Sequence, residues 1–297
     1  VSDLVAISSE ELTVEINPLG SELWSITDTA GRSYMTDADP RWWTGHAPIL
    51  FPVVGALRDD RYRVDGQDYA MGKHGFARHS RFDIVEVAKN RARFRLTDSE
   101  ETRRHYPFAF ALEIAFALAG NRLSLEASVT NRDEANLPFS FGFHPAFAWP
   151  LPGNAPKSAH RVTFAQAEPE AVRRIDPASG LLLPESQPTP VDGDTLVPAA
   201  ELFEPDALIW DQLHSRSCTF CAPGSGMVAL EFPDTHLLGI WQKPGAPYLC
   251  IEPWHGLADP VDFDGDLRAK PGIMELAPGA SRSFHLAITI TPPGETQ

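Results

Sequence analysis

Two side chains in this sequence have the types and settings for paired proton transfer. Glu252 follows an apolar run, Tyr248-Leu249-Cys250-Ile251, and precedes Pro253. Proline cannot continue ladder pairing in the middle of a sheet, so the expectation is a carboxylate leaving the sheet at a strand end. His144 also precedes a proline, within Phe141-Gly142-Phe143-His144-Pro145-Ala146-Phe147. Singly, each has a plain explanation: a solvated carboxylate, and an imidazole packed between Phe143 and Phe147. Facing one another across a cleft, they would form a base and an acid that work near neutral pH without a metal or an organic cofactor.

Two further segments concentrate polar groups among Gly and Pro. In Lys73-His74-Gly75-Phe76-Ala77-Arg78, the glycine reads as a turn that presents His74 and Arg78 to a ligand, or as a surface turn with Arg78 in an ion pair. In Phe203-Glu204-Pro205-Asp206-Ala207, Asp206 could accept hydrogen bonds from ligand hydroxyls or cap a turn. Trp149, Trp241 and Trp254 could stack on the apolar face of a sugar or simply pack in the core. Cys218 and Cys221, three apart in a strand, point to opposite faces, and no second Cys-x-x-Cys follows, so ordinary thiols are expected rather than a metal site. The run Asp262-Phe263-Asp264-Gly265-Asp266 departs from calcium-loop spacing and reads as a solvated acidic loop.

The elements that must position these groups are strands. Leu112, Ile114, Phe116 and Leu118 alternate with less apolar residues; Leu123, Leu125, Ala127 and Val129 do the same after Gly120-Asn121, a pair that tolerates positive φ. That is the signature of an antiparallel hairpin. Leu12, Val14 and Ile16 alternate near the start, Phe94 and Leu96 later, and Phe284, Leu286, Ile288 and Ile290 near the end. Further strands are expected at 82–88, 137–142, 161–165, 207–210, 216–221, 227–232, 236–242 and 247–252, each bounded by turn-forming residues. No helical period is sustained, and 27 prolines with 21 glycines leave little room for one. The expected fold is therefore all-β, a large antiparallel sandwich with few short helices, forming a single domain over 1–297. Residues 150–160 and 176–200 read as long surface loops, and Pro292 to Gln297 as a fraying tail.

Forty acidic against 25 basic side chains leave a net charge of −15, a field that repels phosphate backbones and anionic lipid surfaces. Nucleic-acid and membrane roles are thereby disfavoured. The apolar stretch from Ala47 to Leu57 is too short to span a bilayer and is broken by Pro48 and Pro52. Residues 1–20 show no basic start followed by an apolar run, which makes the cytoplasm the expected location.

Four motifs in order, HGFAR, GFHPAF, an acidic residue before a strand, and GIWQKPGAPYLCIEPWHG, resemble the aldose 1-epimerase (galactose mutarotase-like) superfamily, in its LacX-like branch. The likeness extends to the Ala47–Gly55 segment and the closing Leu276-Ala277-Pro278-Gly279. It implies a galactose mutarotase-like supersandwich, no cofactor, and a monosaccharide or sugar-phosphate substrate whose anomers are interconverted by ring opening and closure. By motif, Glu252 resembles the general base and His144 the general acid. His74 and Arg78 match substrate-binding positions, Asp206 is similar in order to a sugar-binding aspartate, and Arg58 to an upstream arginine, with Arg61 and Arg63 competing for that match. Activity on a hexose 6-phosphate, a catalytically silent carbohydrate-binding protein and a glycoside hydrolase using Asp206 with Glu252 are the alternatives.

Overall fold

The computed structural model describes residues 4–294. Two large antiparallel sheets dominate. The first has nine strands, in the spatial order Thr195–Leu196, Arg161–Phe164, Ser217–Cys221, Met227–Glu231, Ser281–Thr291, Arg122–Asn131, Phe110–Ala119, Arg91–Thr97 and Asp83–Ala88. The expected hairpin is at its centre, with Ala119 paired to Arg122 around Gly120. Leu112, Ile114, Phe116 and Leu118 are all buried, as are Phe284, Leu286, Ile288 and Ile290 on the closing strand. The single α-helix among the described residues, Glu100–His105, is capped by Ser99, whose hydroxyl accepts from the Thr102 N–H.

The second sheet holds the candidate site. Its spatial order is Leu182–Gln187, Val172–Ile175, Leu208–Trp210, Leu237–Trp241, Tyr248–His255, Phe141–Phe143 and Ile49–Leu50, with Ala146–Ala148 also paired to Tyr248–His255. Its inner face packs against the nine-stranded sheet, Phe141 stacking on Phe284 at 4.8 Å and Phe164 meeting Trp210 at 5.7 Å between ring centroids. Strand alternation decides what is left over. Leu249 and Ile251 enter the main core, while Tyr248, Cys250, Glu252 and Trp254 point to the opposite face.

Three expectations need correction. The strand carrying Glu252 does not end there but runs on through Pro253 to His255. On one side, Pro253 pairs with Leu238; on the other, the neighbouring strand is interrupted between Phe143 and Ala146, so the missing proline N–H falls where a regular partner is absent. The carboxylate thus projects from mid-strand. Residues 176–200 are not one loop: Leu182–Gln187 and Thr195–Leu196 form edge strands, where prolines are tolerated and alternation is weak. The expected strand 137–142 is split, Leu137–Phe139 pairing with Met274–Leu276 and Phe141–Phe143 joining the second sheet. Of the tail expected to fray, residues 295–297 lie outside the described residues.

Candidate functional site

Five of the six expected site residues surround one cavity of about 280 Å³ on the outer face of the second sheet: His74, Arg78, His144, Asp206 and Glu252. Trp43, Lys73, Trp241 and Trp254 complete much of its lining. The volume approaches the lower end of the ~300–1,000 Å³ typical of small-molecule sites.

The floor is set by register. Glu252 lies opposite Gly239, and Trp254 opposite Gly142 on the other flank. A Cβ on either glycine would press into the Trp254 indole, so these two positions let the ring lie across the sheet beside the carboxylate. Where the flanking strand breaks, His144 brings its Nε2 to 3.1 Å from Glu252 Oε2. Both side chains are almost wholly inaccessible to solvent, at 8% and 2%. The Nδ1 of His144 and the Oε1 of Glu252 are buried with no partner at full hydrogen-bond geometry, and the Trp254 indole N–H, similarly buried, lies near enough to Glu252 to favour its ionised form.

Burial dominates the electrostatics of this couple. It pushes the His144 imidazole down to about 3, with Lys73 and Arg78 acting in the same direction. It holds the Glu252 carboxyl well above the usual range; Lys73 opposes that shift and Asp206 adds to it. Both residues are driven toward their neutral forms. A single proton therefore sits between them, resting on the carboxyl and able to pass to the imidazole across the 3.1 Å contact.

His74 stands at a left-handed backbone position, φ 67°, followed by Gly75 at φ 71°. The glycine is required because a Cβ there would collide with the Phe51 carbonyl. This turn clips His74 to Gly55: the His74 N–H donates to the Gly55 carbonyl at 2.9 Å, and its Nδ1 accepts from the Gly55 N–H at 3.1 Å. Burial holds the ring neutral, pulled further down by His144, Lys73 and Arg78. With Nδ1 an acceptor, the proton is on Nε2, which makes His74 a hydrogen-bond donor. Arg78, in the following turn, donates from Nη2 to the Lys73 carbonyl at 2.8 Å and keeps Nε buried and unpaired. Its charge faces Glu22, whose carboxylate accepts from the His46 and Ala47 N–H groups.

Asp206 closes the other side from a second left-handed position, φ 69°, with Oδ1 accepting from the Ala207 N–H at 2.7 Å. Its segment is pinned from beneath by the buried Arg174, whose Nη1 donates to the carbonyls of Leu202, Asp206 and Ala207. Sequence reasoning did not single out Arg174.

Arg58 lies elsewhere. Its guanidinium bonds the Val261 carbonyl and lines a separate depression with Arg61, Arg63 and Lys270. The backbone at 258–259 divides the two hollows, Ala258 lining one and Asp259 the other. Asp259 is held there by the Arg58 N–H and, at 2.5 Å, by Lys270 Nζ. Trp149 is likewise remote from the site, buried with its N–H on the Lys157 carbonyl and the Lys157 ammonium 4.2 Å from its ring. The aromatic wall instead includes Trp43, 5.0 Å from the His144 ring and edge-on to Trp241 at 5.8 Å. Its signal in the sequence is an adjacent tryptophan pair, Trp42-Trp43, inside a polar, Pro- and Gly-containing stretch.

Residues 3–268 match the aldose 1-epimerase family model. The chain is 33% identical over 295 residues to the chromosomal protein LacX of Lactococcus lactis subsp. lactis, covering 96% of this chain and 99% of that one. It is similar to the X-ray structure of the galactose mutarotase related enzyme from Lactobacillus acidophilus, at 31% identity and a TM-score of 0.90 over 99% of each chain. A galactose mutarotase-like protein from Lactobacillus casei ATCC 334 aligns with a TM-score of 0.89 at 27% identity, over 97% of this chain and 99% of that one.

Proposed function

This chain belongs to the aldose 1-epimerase family, and from that premise we propose that it interconverts the α and β anomers of a free aldose, with Glu252 as base and His144 as acid. The observation that carries this reading is the 3.1 Å contact between the two side chains at the floor of a cavity walled by tryptophans.

In the reactive state the shared proton has passed to His144, leaving Glu252 ionised, a charge that the neighbouring Lys73 favours. The carboxylate takes the proton of the anomeric hydroxyl as the imidazolium protonates the ring oxygen. The bond between the anomeric carbon and the ring oxygen breaks, giving the open aldehyde. Rotation about the adjacent carbon–carbon bond exposes the other face, and reclosure reverses both transfers. The couple begins and ends with one proton, so nothing external is consumed. His74 donates from Nε2 to a sugar oxygen, Arg78 offers its unpaired Nε, and Asp206 accepts from hydroxyls. Such positioning supplies much of the remaining acceleration.

A hexose 6-phosphate would need several cations converging on one end of the cavity. Of Arg58, Arg61, Lys73 and Arg78, only Lys73 and Arg78 line it, and Arg78 already faces Glu22. The free sugar is therefore the better fit. Hydrolysis would need paired carboxylates; Asp206 and Glu252 do share the cavity, but the group in direct contact with Glu252 is an imidazole, which favours proton exchange.

Anomer-resolved NMR exchange with free and 6-phosphorylated aldoses tests the proposal. Accelerated exchange of a free aldose is expected, falling about 10²–10⁴-fold in Glu252→Gln and in His144→Asn. Unaltered relaxation despite measurable sugar binding would identify a silent carbohydrate-binding protein, and acceleration of phosphorylated sugars alone would move the substrate class.

A further inference from the structure

Cys250 takes no part in the chemistry above, yet alternation along Tyr248–His255 places its side chain on the same face as Glu252. One donor atom from each of His144, Cys250 and Glu252 lies within 4.8 Å of the other two. Thiolate, imidazole and carboxylate are the ligand types of zinc, and three of them with one open position leave room for water or substrate. Glu252 Oε1 is buried with no partner at full hydrogen-bond geometry, so a carboxylate lone pair on the face it shares with the thiol stays available to a ligand.

We propose that His144, Cys250 and Glu252 form an inhibitory site for a thiophilic divalent cation of the zinc class, opening onto the sugar cavity. The charge balance favours such an ion over a monovalent one. Binding releases the thiol proton and the proton shared by the couple, so a dication meets one thiolate, one carboxylate and one neutral imidazole, and the buried assembly is electrically neutral. Both groups that move protons become ligands, and ring opening stops. The inhibitory half rests on the mutarotase reading; the binding half does not.

Metal-free protein titrated with Co²⁺ separates the two. One cation per chain is expected, with a thiolate-to-cobalt charge-transfer band that disappears in Cys250→Ala, persists in Cys221→Ala, and is reversed by Zn²⁺. In sugar exchange, Zn²⁺ should inhibit the parent, while Cys250→Ala should retain metal-free exchange and need about 10-fold or more Zn²⁺ for the same inhibition. Should the alanine variant not fold, Cys250→Val, closer in volume, takes its place. Absence of the band in the parent, or its survival without Cys250, overturns the site. A band that appears in a parent with no metal-free exchange upholds the cation site and refutes the catalytic reading instead. Inhibition by Zn²⁺ that is unchanged without Cys250 overturns the proposal while leaving the enzyme intact.

Discussion

At the scale of single residues, the couple's behaviour is set by burial rather than by the ordinary basicity of either group. Below about 3 a second proton would reach His144, and the shared one leaves only as the pH passes the raised value of Glu252. Between those limits the proton count is constant. The ratio kcat/KM for anomer exchange is therefore expected to stay level from about pH 5 through neutrality and to fall on the alkaline side. An acid limb centred near 6.5, where an unperturbed histidine titrates, would contradict this assignment. His144, Glu252, His74 and Asp206 were legible in the sequence because each has Gly or Pro beside it, and Arg78 because it closes the same short motif as His74. Arg58 lies off the cavity, and of the two roles open to Trp149 the structure takes the core one, because residue type states what a side chain can do whereas its direction is decided by distant chain, here the 258–261 segment and the Lys157 turn.

At the scale of elements, period-two alternation did most of the positional work and was easiest to read. It places Cys250, Glu252 and Trp254 on one face and Leu249 and Ile251 on the other. What alternation could not give was the break between Phe143 and Ala146, which depends on pairing with a strand about a hundred residues away. Nor could it reveal the edge strands in 176–200, since Leu182–Gln187 is mostly exposed and interrupted by Pro184, and Thr195–Leu196 is too short to alternate. The role of Gly239 became visible only through register, since its partner in contact is Trp254. Gly239→Ala is expected to cost about 1–3 kcal/mol in urea unfolding, because the added methyl must displace a packed indole. The same substitution should raise KM for the sugar, as Trp254 is the surface being moved. An unchanged unfolding midpoint would show that the ring has free space beside it.

At the scale of the whole molecule, the buried histidines tie stability to pH. Burial lowers His46 to about 4, His144 to about 3 and His74 well below its ordinary value. As the pH falls below about 6.5, the unfolded chain takes up protons that the folded chain refuses, so stability declines. Glu22 and Glu252, whose carboxyls are raised, act in the opposite sense, since the folded state keeps their protons above the unfolded value. The three imidazoles outnumber these two carboxyls, and His160 and His255 are displaced the same way as the three. Thermal midpoints measured from pH 7 to pH 4 should therefore drop steadily; a constant midpoint would mean that these rings are protonated in the native state. The mid-strand placement of Glu252 carries one more consequence. Fraying of the outermost strands leaves Tyr248–His255 hydrogen-bonded on both flanks, so the base keeps its place until the sheet itself opens. Inactivation by urea and the collapse of tryptophan fluorescence should trace one sigmoid; activity lost ahead of fluorescence would put the weak point in the turns that carry His74 and Asp206 instead of the scaffold beneath them.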